Sequence, residues 1–319
     1  MKIHHLTERR PEWWPPAAVA CLQDLLSYRL VGASACADRI TTALVDVASA
    51  ADRKGLDVAV EIAAAGSAFT RLKPDTGLYV NLVDILTATA QSGSARDVAA
   101  CAADLDAYRS RAQATVVATT AELLQDAATV LIHDYSSVVL RILAKLAQDR
   151  PRTIVVTTGE PLGQGRRVAE SAAAAGHRVI YTPDMAVGRL ADQLDAFLTG
   201  VETFYPDGSM ANTIGTLILG LLCRDRGKPV FAPAELLKYG YQHTTADPTQ
   251  LTARLLPGRS SHLLPDAARW TMEDHVLDAV PSALIAGYVT DDGRTHPIEI
   301  GAKAAQALAR WMNQTTGSQ

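Results

Sequence analysis

The chain has 319 residues, a length that suits two domains at about 150 residues each, and its 30 lysines and arginines against 34 aspartates and glutamates leave a net charge of −4. With 48% apolar and 20% charged residues it is too hydrophobic for a disordered chain and lacks the cationic excess of a broad nucleic-acid-binding face, so no direct nucleic-acid contact is expected. Aromatic residues reach only 5%, which leaves small side chains to do much of the packing. The four cysteines, Cys21, Cys36, Cys101 and Cys223, lie far apart with no C-x-x-C pair and no metal-ligand spacing. They read as reduced structural thiols of a cytoplasmic protein, and no metal is expected. Apolar runs such as Leu217 to Cys223 fall short of the roughly 18 residues that cross a bilayer, so no membrane span is expected. The opening MKIHHLTERRPEWWPP is polar, carries three prolines and has no apolar core, which argues against a secretory signal.

From Pro16 to about Ala121 the apolar residues recur at three-and-four spacing, which predicts helices over Ala17–Leu26, Cys36–Ala51, Leu56–Ala65, Leu78–Ala90 and Ala95–Leu123, with turns at Gly32, Gly55, Gly66 and Pro74. After Asp126 the pattern changes to short β-branched runs alternating with helices. The runs are Thr129–His133, Thr153–Thr157, Arg178–Thr182, Ala196–Gly200 and Pro229–Ala232; helices are predicted over Ser137–Gln148, Gly165–Ala175, after Pro183, and over Asn212–Asp225. Such alternation predicts an α/β fold, a helical N-terminal domain over 1–122 followed by a Rossmann-like, doubly wound parallel sheet over 123–319. The polar stretch Tyr241–Trp270 reads as a long excursion or lid, Ala283–Thr290 as a last strand, and Ile298–Met312 as a terminal helix.

Ligands of doubly wound sheets bind outside the carboxyl ends of the strands, so the residues that close each strand carry the chemistry. Asp134 and Glu202 close the first and fourth strands. As neighbouring carboxylates they could raise one another's pKa and act as an acid/base pair; equally, Asp134 could be a loop carboxylate that caps a helix. Asn212 fits either an N-cap or a pocket residue facing Glu202, with the following helix N-terminus offering donors to an anion. Ser136 reads as the N-cap of the next helix more readily than as a nucleophile, because no G-x-S-x-G elbow surrounds it. Arg166 and Arg167, after Gly163 and Gly165, are either a solvated first turn or a phosphate-binding edge; the glycine spacing completes neither a P-loop nor a dinucleotide fingerprint. Without that fingerprint a nicotinamide-dependent dehydrogenase is disfavoured, and no cofactor is expected.

The order of these segments resembles the family containing the alpha, beta and delta subunits of translation initiation factor 2B together with methylthioribose-1-phosphate isomerase and ribose-1,5-bisphosphate isomerase. The matching text is Ile132–Leu140, Pro161–Ala169, Thr182–Gly188, Gly200–Thr216 and Ala234–Tyr239, with weaker matches at Leu30–Ser34 and Lys73–Gly77. The resemblance implies a phosphorylated ligand, a sugar phosphate or nucleotide, held between the two halves, and a homodimer or higher homo-oligomer formed through the C-terminal domain. It further implies ligand contacts from Gly32, Ala33, Lys73, Arg166, Asp184, Asn212 and Lys238. The isomerases move a proton between neighbouring sugar carbons with a Cys after the first sheet strand and an Asp after the fourth; those positions here hold Asp134 and Glu202. Cations of the family pocket are also replaced: Val31 and Glu160 stand where arginines occur, and Thr213 where a Lys follows the Asn. Charge-assisted hydrogen bonds carry about 1.5–3 kcal/mol each, so these losses disfavour a doubly phosphorylated substrate. The resulting expectation is an initiation-factor-2B-like protein that keeps a pocket but has diverged from the isomerases at the catalytic pair. The alternative is an active isomerase in which Asp134 and Glu202 replace thiol and carboxylate.

Overall fold

The computed structural model describes residues 11–27, 32–72, 75–249, 251 and 275–316. They form two compact units. One runs to Arg111 and takes in Leu236–Gly240 and the chain from Ala302 onward; the other comprises Ala112–Glu235 and Tyr241–Gly301.

The first unit is helical: α1 (Pro16–Leu26), α2 (Ala33–Arg53), α3 (Val58–Thr70), α4 (Gly77–Ser92) and the N-terminal part of α5 (Ala95–Leu123). Proline opens α1, where its missing N–H costs nothing. The Asp57 carboxylate accepts the Val60 amide at 3.1 Å to cap α3, and Asp97 accepts both the amide and the hydroxyl of Ser94 at 2.7 Å ahead of α5. Helix α4 is the centre of the unit, with Leu78, Tyr79, Leu82, Ile85 and Leu86 all fully buried. Small residues permit its close packing: a Cβ on Gly66 of α3 would lie 2.2 Å from Cγ1 of Val83. Ile40, Leu44, Ile62, Phe69, Leu105 and, from far along the chain, Leu237 join the same core.

The second unit is built on a seven-stranded sheet in the order β10-β9-β7-β4-β1-β2-β3, from β1 (Thr129–His133), β2 (Thr153–Thr157), β3 (Arg178–Thr182), β4 (Ala196–Thr199), β7 (Val230–Pro233), β9 (Gly287–Thr290) and β10 (Gly293–Thr295). All neighbours are parallel except the terminal β9–β10 hairpin. The central strands read as unbroken apolar runs because both faces are covered. Val130, Ile132, Ile154, Val156 and Leu198 pack with α6 (Ser137–Asp149) and α7 (Gly165–Ala174), whereas the alternate residues Leu131, Val155, Phe197 and Val230 pack with Leu219 and Cys223 of α8 (Thr216–Asp225). Helix α9 (Pro297–Thr316) follows β10.

Four predicted features differ. Gly66, expected as a turn, lies inside α3, which runs on to Thr70. Pro183 is followed by short 3₁₀ turns, Asp184–Arg189 and Ala191–Gln193, in place of a full helix. The run from Ala283 becomes a 3₁₀ turn at Ser282–Leu284 before β9 begins at Gly287. Most consequential, Asn212 opens no helix: it lies in β6 (Met210–Thr213), central strand of a small antiparallel sheet with β5 (Thr203–Phe204) and β8 (Leu277–Val280). Pairing on both edges of β6, with Ala211 opposite Thr203 and Asn212 opposite Asp278, overrides the local helical reading. Of the stretch expected as a lid, residues 252–270 lie outside the described residues.

Candidate functional site

The sheet order reverses between β1 and β4, one leading outward to β2 and the other to β7. Crevices form at such a switch point, outside the carboxyl ends of the two strands. His133 is in register with Thr199 across it, so the residues that follow, Asp134 on one side and Gly200 to Glu202 on the other, emerge side by side.

Asp134 is the only non-glycine described residue with positive φ, at 72°. An aspartate tolerates this left-handed conformation better than most residues, and residues held in such sparsely populated conformations cluster at functional sites. The Asp134 Oδ2 accepts the hydroxyl of Thr213 from β6. Burial pushes its pKa up to about 6; the Thr213 hydroxyl, the Tyr135 amide and His133 oppose the rise, and Glu202 adds to it. The cause is therefore mainly removal from water, with carboxylate repulsion a minor contributor.

The floor beneath Asp134 is polar and pinned. His133 is completely buried, its Nε2 donating to the Ile214 carbonyl at 2.7 Å and its Nδ1 paired with the Thr157 hydroxyl at 2.7 Å. Gly215, at φ 100°, lies so close that a Cβ there would be 2.8 Å from His133 Nε2. The Asn212 amide donates to the hydroxyls of Thr199 and Thr216 at 3.0 Å each, and Thr216 donates in turn to the Thr213 carbonyl at 2.6 Å. Gly200 leaves room for this arrangement, since a Cβ there would sit 3.1 Å from Ser136 Cβ and 3.7 Å from Asn212 Oδ1. Ser136 caps α6 through the Val139 amide, as expected.

The start of α8 offers fewer anion donors than the sequence suggested. Asp278 Oδ2 already accepts the amides of Gly215 at 2.8 Å and Leu217 at 2.9 Å. An internal carboxylate thus occupies the position an external anion would take at a helix N-terminus. Burial raises the Asp278 pKa, against the pull of those two amides.

Asp184 likewise serves its own loop: Oδ1 accepts the Thr158 hydroxyl and the Gly159 amide, and Oδ2 the Glu160 amide, all within 2.8–3.0 Å. Arg166 points to solvent and pairs with Glu170 one turn on. Its neighbour Arg167 instead lies 4.2 Å over the ring of Tyr135, bringing a guanidinium against the residue after Asp134. In the helical unit, Gly32 precedes α2 with φ 91°, Ala33 is its first, buried residue, and Lys238 ends the turn Leu236–Lys238 with 6% of its surface exposed. Lys73 lies outside the described residues. Among the described residues no His, Cys, Asp or Glu group could hold a metal ion, and no helix is long and apolar enough to cross a membrane.

The model of the Initiation factor 2 subunit family matches residues 30–297. The chain belongs to that family. It is 28% identical over 220 residues to ribose 1,5-bisphosphate isomerase of Haloferax volcanii, covering 67% of each chain, and 31% identical over 119 residues to translation initiation factor eIF2B subunit alpha of Dictyostelium discoideum, covering 37% of each. Among solved structures, translation initiation factor eIF-2B of Pyrococcus horikoshii OT3 shares the fold with a TM-score of 0.75 and 19% identity, covering 89% of this chain and 98% of that one. Family membership gives the Asp134–Thr213 contact a further meaning. The positions at which the initiation factor 2 subunit family's isomerases were expected to carry a thiol and a lysine are here an acid and a hydroxyl, and the two replacements bond to each other. Both replacements are visible in the sequence but their contact is not, and neither is Asp278, which comes to α8 from a strand more than 60 positions away.

Proposed function

We propose that this chain is an initiation-factor-2B-like binding protein for a small phosphorylated metabolite, a sugar phosphate or nucleotide, that has lost the proton-transfer chemistry of the isomerases. The observation that carries this reading is the Thr213 hydroxyl on Asp134. A neutral donor occupies the carboxylate, so the acid is satisfied within the protein, and that donor, Thr213, stands where the isomerases are expected to carry a lysine that could stabilise an enolate-like oxygen. Asp278 on the start of α8 supports a ligand of modest negative charge. In this reading Gly32, Ala33, Asn212 and Lys238 contact the ligand, Asp184 and Arg166 contribute at its edge, and the protein works in the cytoplasm as a homodimer or higher homo-oligomer.

Thermal shift with ribose 1-phosphate, ribose 1,5-bisphosphate, methylthioribose 1-phosphate and adenosine monophosphate tests the proposal. A ligand present at 100 times its Kd stabilises the folded chain by about 2.7 kcal/mol, several degrees in Tm. A rise with a monophosphate larger than that with the bisphosphate supports the reading; no rise with any of them overturns it.

A second reading has its own observation. A half-buried acid whose pKa is raised to about 6 beside Glu202 is suited to shuttle a proton at neutral pH, which is what an aldose-to-ketose isomerase with Asp134 and Glu202 as its acid/base pair requires. Ketose formed from any of the sugar phosphates, and lost in Asp134→Asn, would favour it.

A further inference from the structure

The segment Leu236–Gly240 interrupts the α/β part of the chain yet belongs to the helical unit. Its attachment there is unusually specific. Leu237 is buried in the helical core with 1% of its surface exposed. Asn81, fully buried on α4, uses both hydrogens of its amide nitrogen on this segment, donating to the carbonyls of Leu237 and Tyr239 at 2.8 Å each. These carbonyls flank Lys238 on either side. One turn earlier on α4, Gly77 lies so close that a Cβ there would fall 2.8 Å from the Tyr239 carbonyl oxygen and 2.9 Å from that of Lys238. The Asn81 Oδ1 has no hydrogen-bond partner among the described residues. A buried, half-satisfied amide is costly in an otherwise apolar helix core, and a residue needed only to fill space would avoid that cost.

We propose that Asn81 and Gly77 are positioning residues for Lys238. They fix its backbone from both sides, so that the ammonium is presented to the ligand's phosphate without the freedom an ordinary loop lysine would have. The inference rests on the phosphate-binding reading above. A lysine stem carries several rotatable bonds, and the entropy lost on gripping an anion falls when its Cα is already fixed. Two carbonyls held by one amide, and a contact that excludes a Cβ, fasten the strap to α4.

Affinity for ribose 1-phosphate, measured by calorimetry alongside unphosphorylated ribose, tests this in the full chain, Asn81→Ala, Gly77→Ala, Lys238→Met and Asn81→Ala/Lys238→Met. Lys238→Met is expected to weaken binding of the phosphate about 10-fold or more and Asn81→Ala about 5-fold, with ribose itself little affected. In the Lys238→Met background Asn81→Ala is expected to change affinity by less than about 2-fold, because the two residues act as one unit. Equal weakening in both backgrounds, or none in either, overturns the proposal. Gly77→Ala reaches the same strap by another route should Asn81→Ala fold poorly. Hydrogen exchange of residues 236–240 is read in parallel: faster exchange in both variants is expected, and unchanged exchange overturns the role of the staple. Loss of binding by the unaltered chain would remove the functional reading, and with it Lys238's task, while the exchange data still decide whether Asn81 holds the strap.

Discussion

The β1–β3 half of the large sheet and the small sheet β5-β6-β8 sit in the same unit but are encoded differently. Each strand of the first is a five-residue β-branched run followed by a turn, and pairs with a neighbour about 25 positions away in an unbroken register, Thr129 opposite Thr153 and Thr153 opposite Arg178. The second is made of strands of two to four residues, one of which arrives from 277–280. The first supplies a rigid platform. The second supplies Thr213 and Asp278, which set the chemistry at the platform's edge. Local sequence pattern therefore builds the scaffold, and long-range pairing tunes the site.

Substitutions can sharpen that contrast. The largest effect is expected in the platform: Gly165→Ala at the start of α7 would place a Cβ 1.7 Å from the Thr157 carbonyl oxygen, and the required backbone shift should cost about 3–4 kcal/mol in urea unfolding. A loss below about 1 kcal/mol would mean that this edge of the sheet is softer than its packing implies.

The next effect belongs to the small sheet and depends on pH. The folded-state pKa of Asp134 is raised to about 6 from 3.8, so the folded chain holds the proton more tightly than the unfolded chain, and stability from this group declines as pH rises from about 4 through 6. Asp134→Asn, which keeps shape and loses the charge, should therefore be more stable than the unaltered chain at pH 8, on the order of 2 kcal/mol, with the difference vanishing near pH 4. A variant less stable at pH 8 would show that the carboxylate is solvated or paired with a cation.

Asp278→Ala removes the acceptor for two amides of α8 and should cost about 1 kcal/mol, together with a local rise in exchange at Gly215 and Leu217. If the internal carboxylate blocks an anion, this variant should also bind inorganic phosphate more tightly than the unaltered chain. At the other extreme, Arg166→Ala removes an exposed pair with Glu170 from the unliganded chain and should leave its Tm without ligand unchanged.

Much of this molecule was legible in the order of its residues. The boundaries of Ala95–Leu123, Thr129–His133, Thr153–Thr157 and Arg178–Thr182 follow from period and composition alone, because in each the local preference agrees with the tertiary role. Asn212 was misread as a helix start, since Met210–Thr213 is followed at once by α8 and its two strand partners are invisible to a local window. Asp134 and Glu202 stand out in the sequence as strand-end carboxylates, but the dominant cause of the raised Asp134 pKa, its removal from water, is a property of the assembled fold and not of any local window.

The proposed binding role requires that Asp134 be satisfied by Thr213 and therefore catalytically idle. Carbon-13 NMR of ribose 1-phosphate incubated with the protein at neutral pH tests this most directly. Broadened or shifted ligand resonances with no ketose carbonyl signal are expected, with the same spectrum for Asp134→Asn. Accumulation of a ketose carbonyl resonance with the unaltered chain, absent with Asp134→Asn, would contradict it.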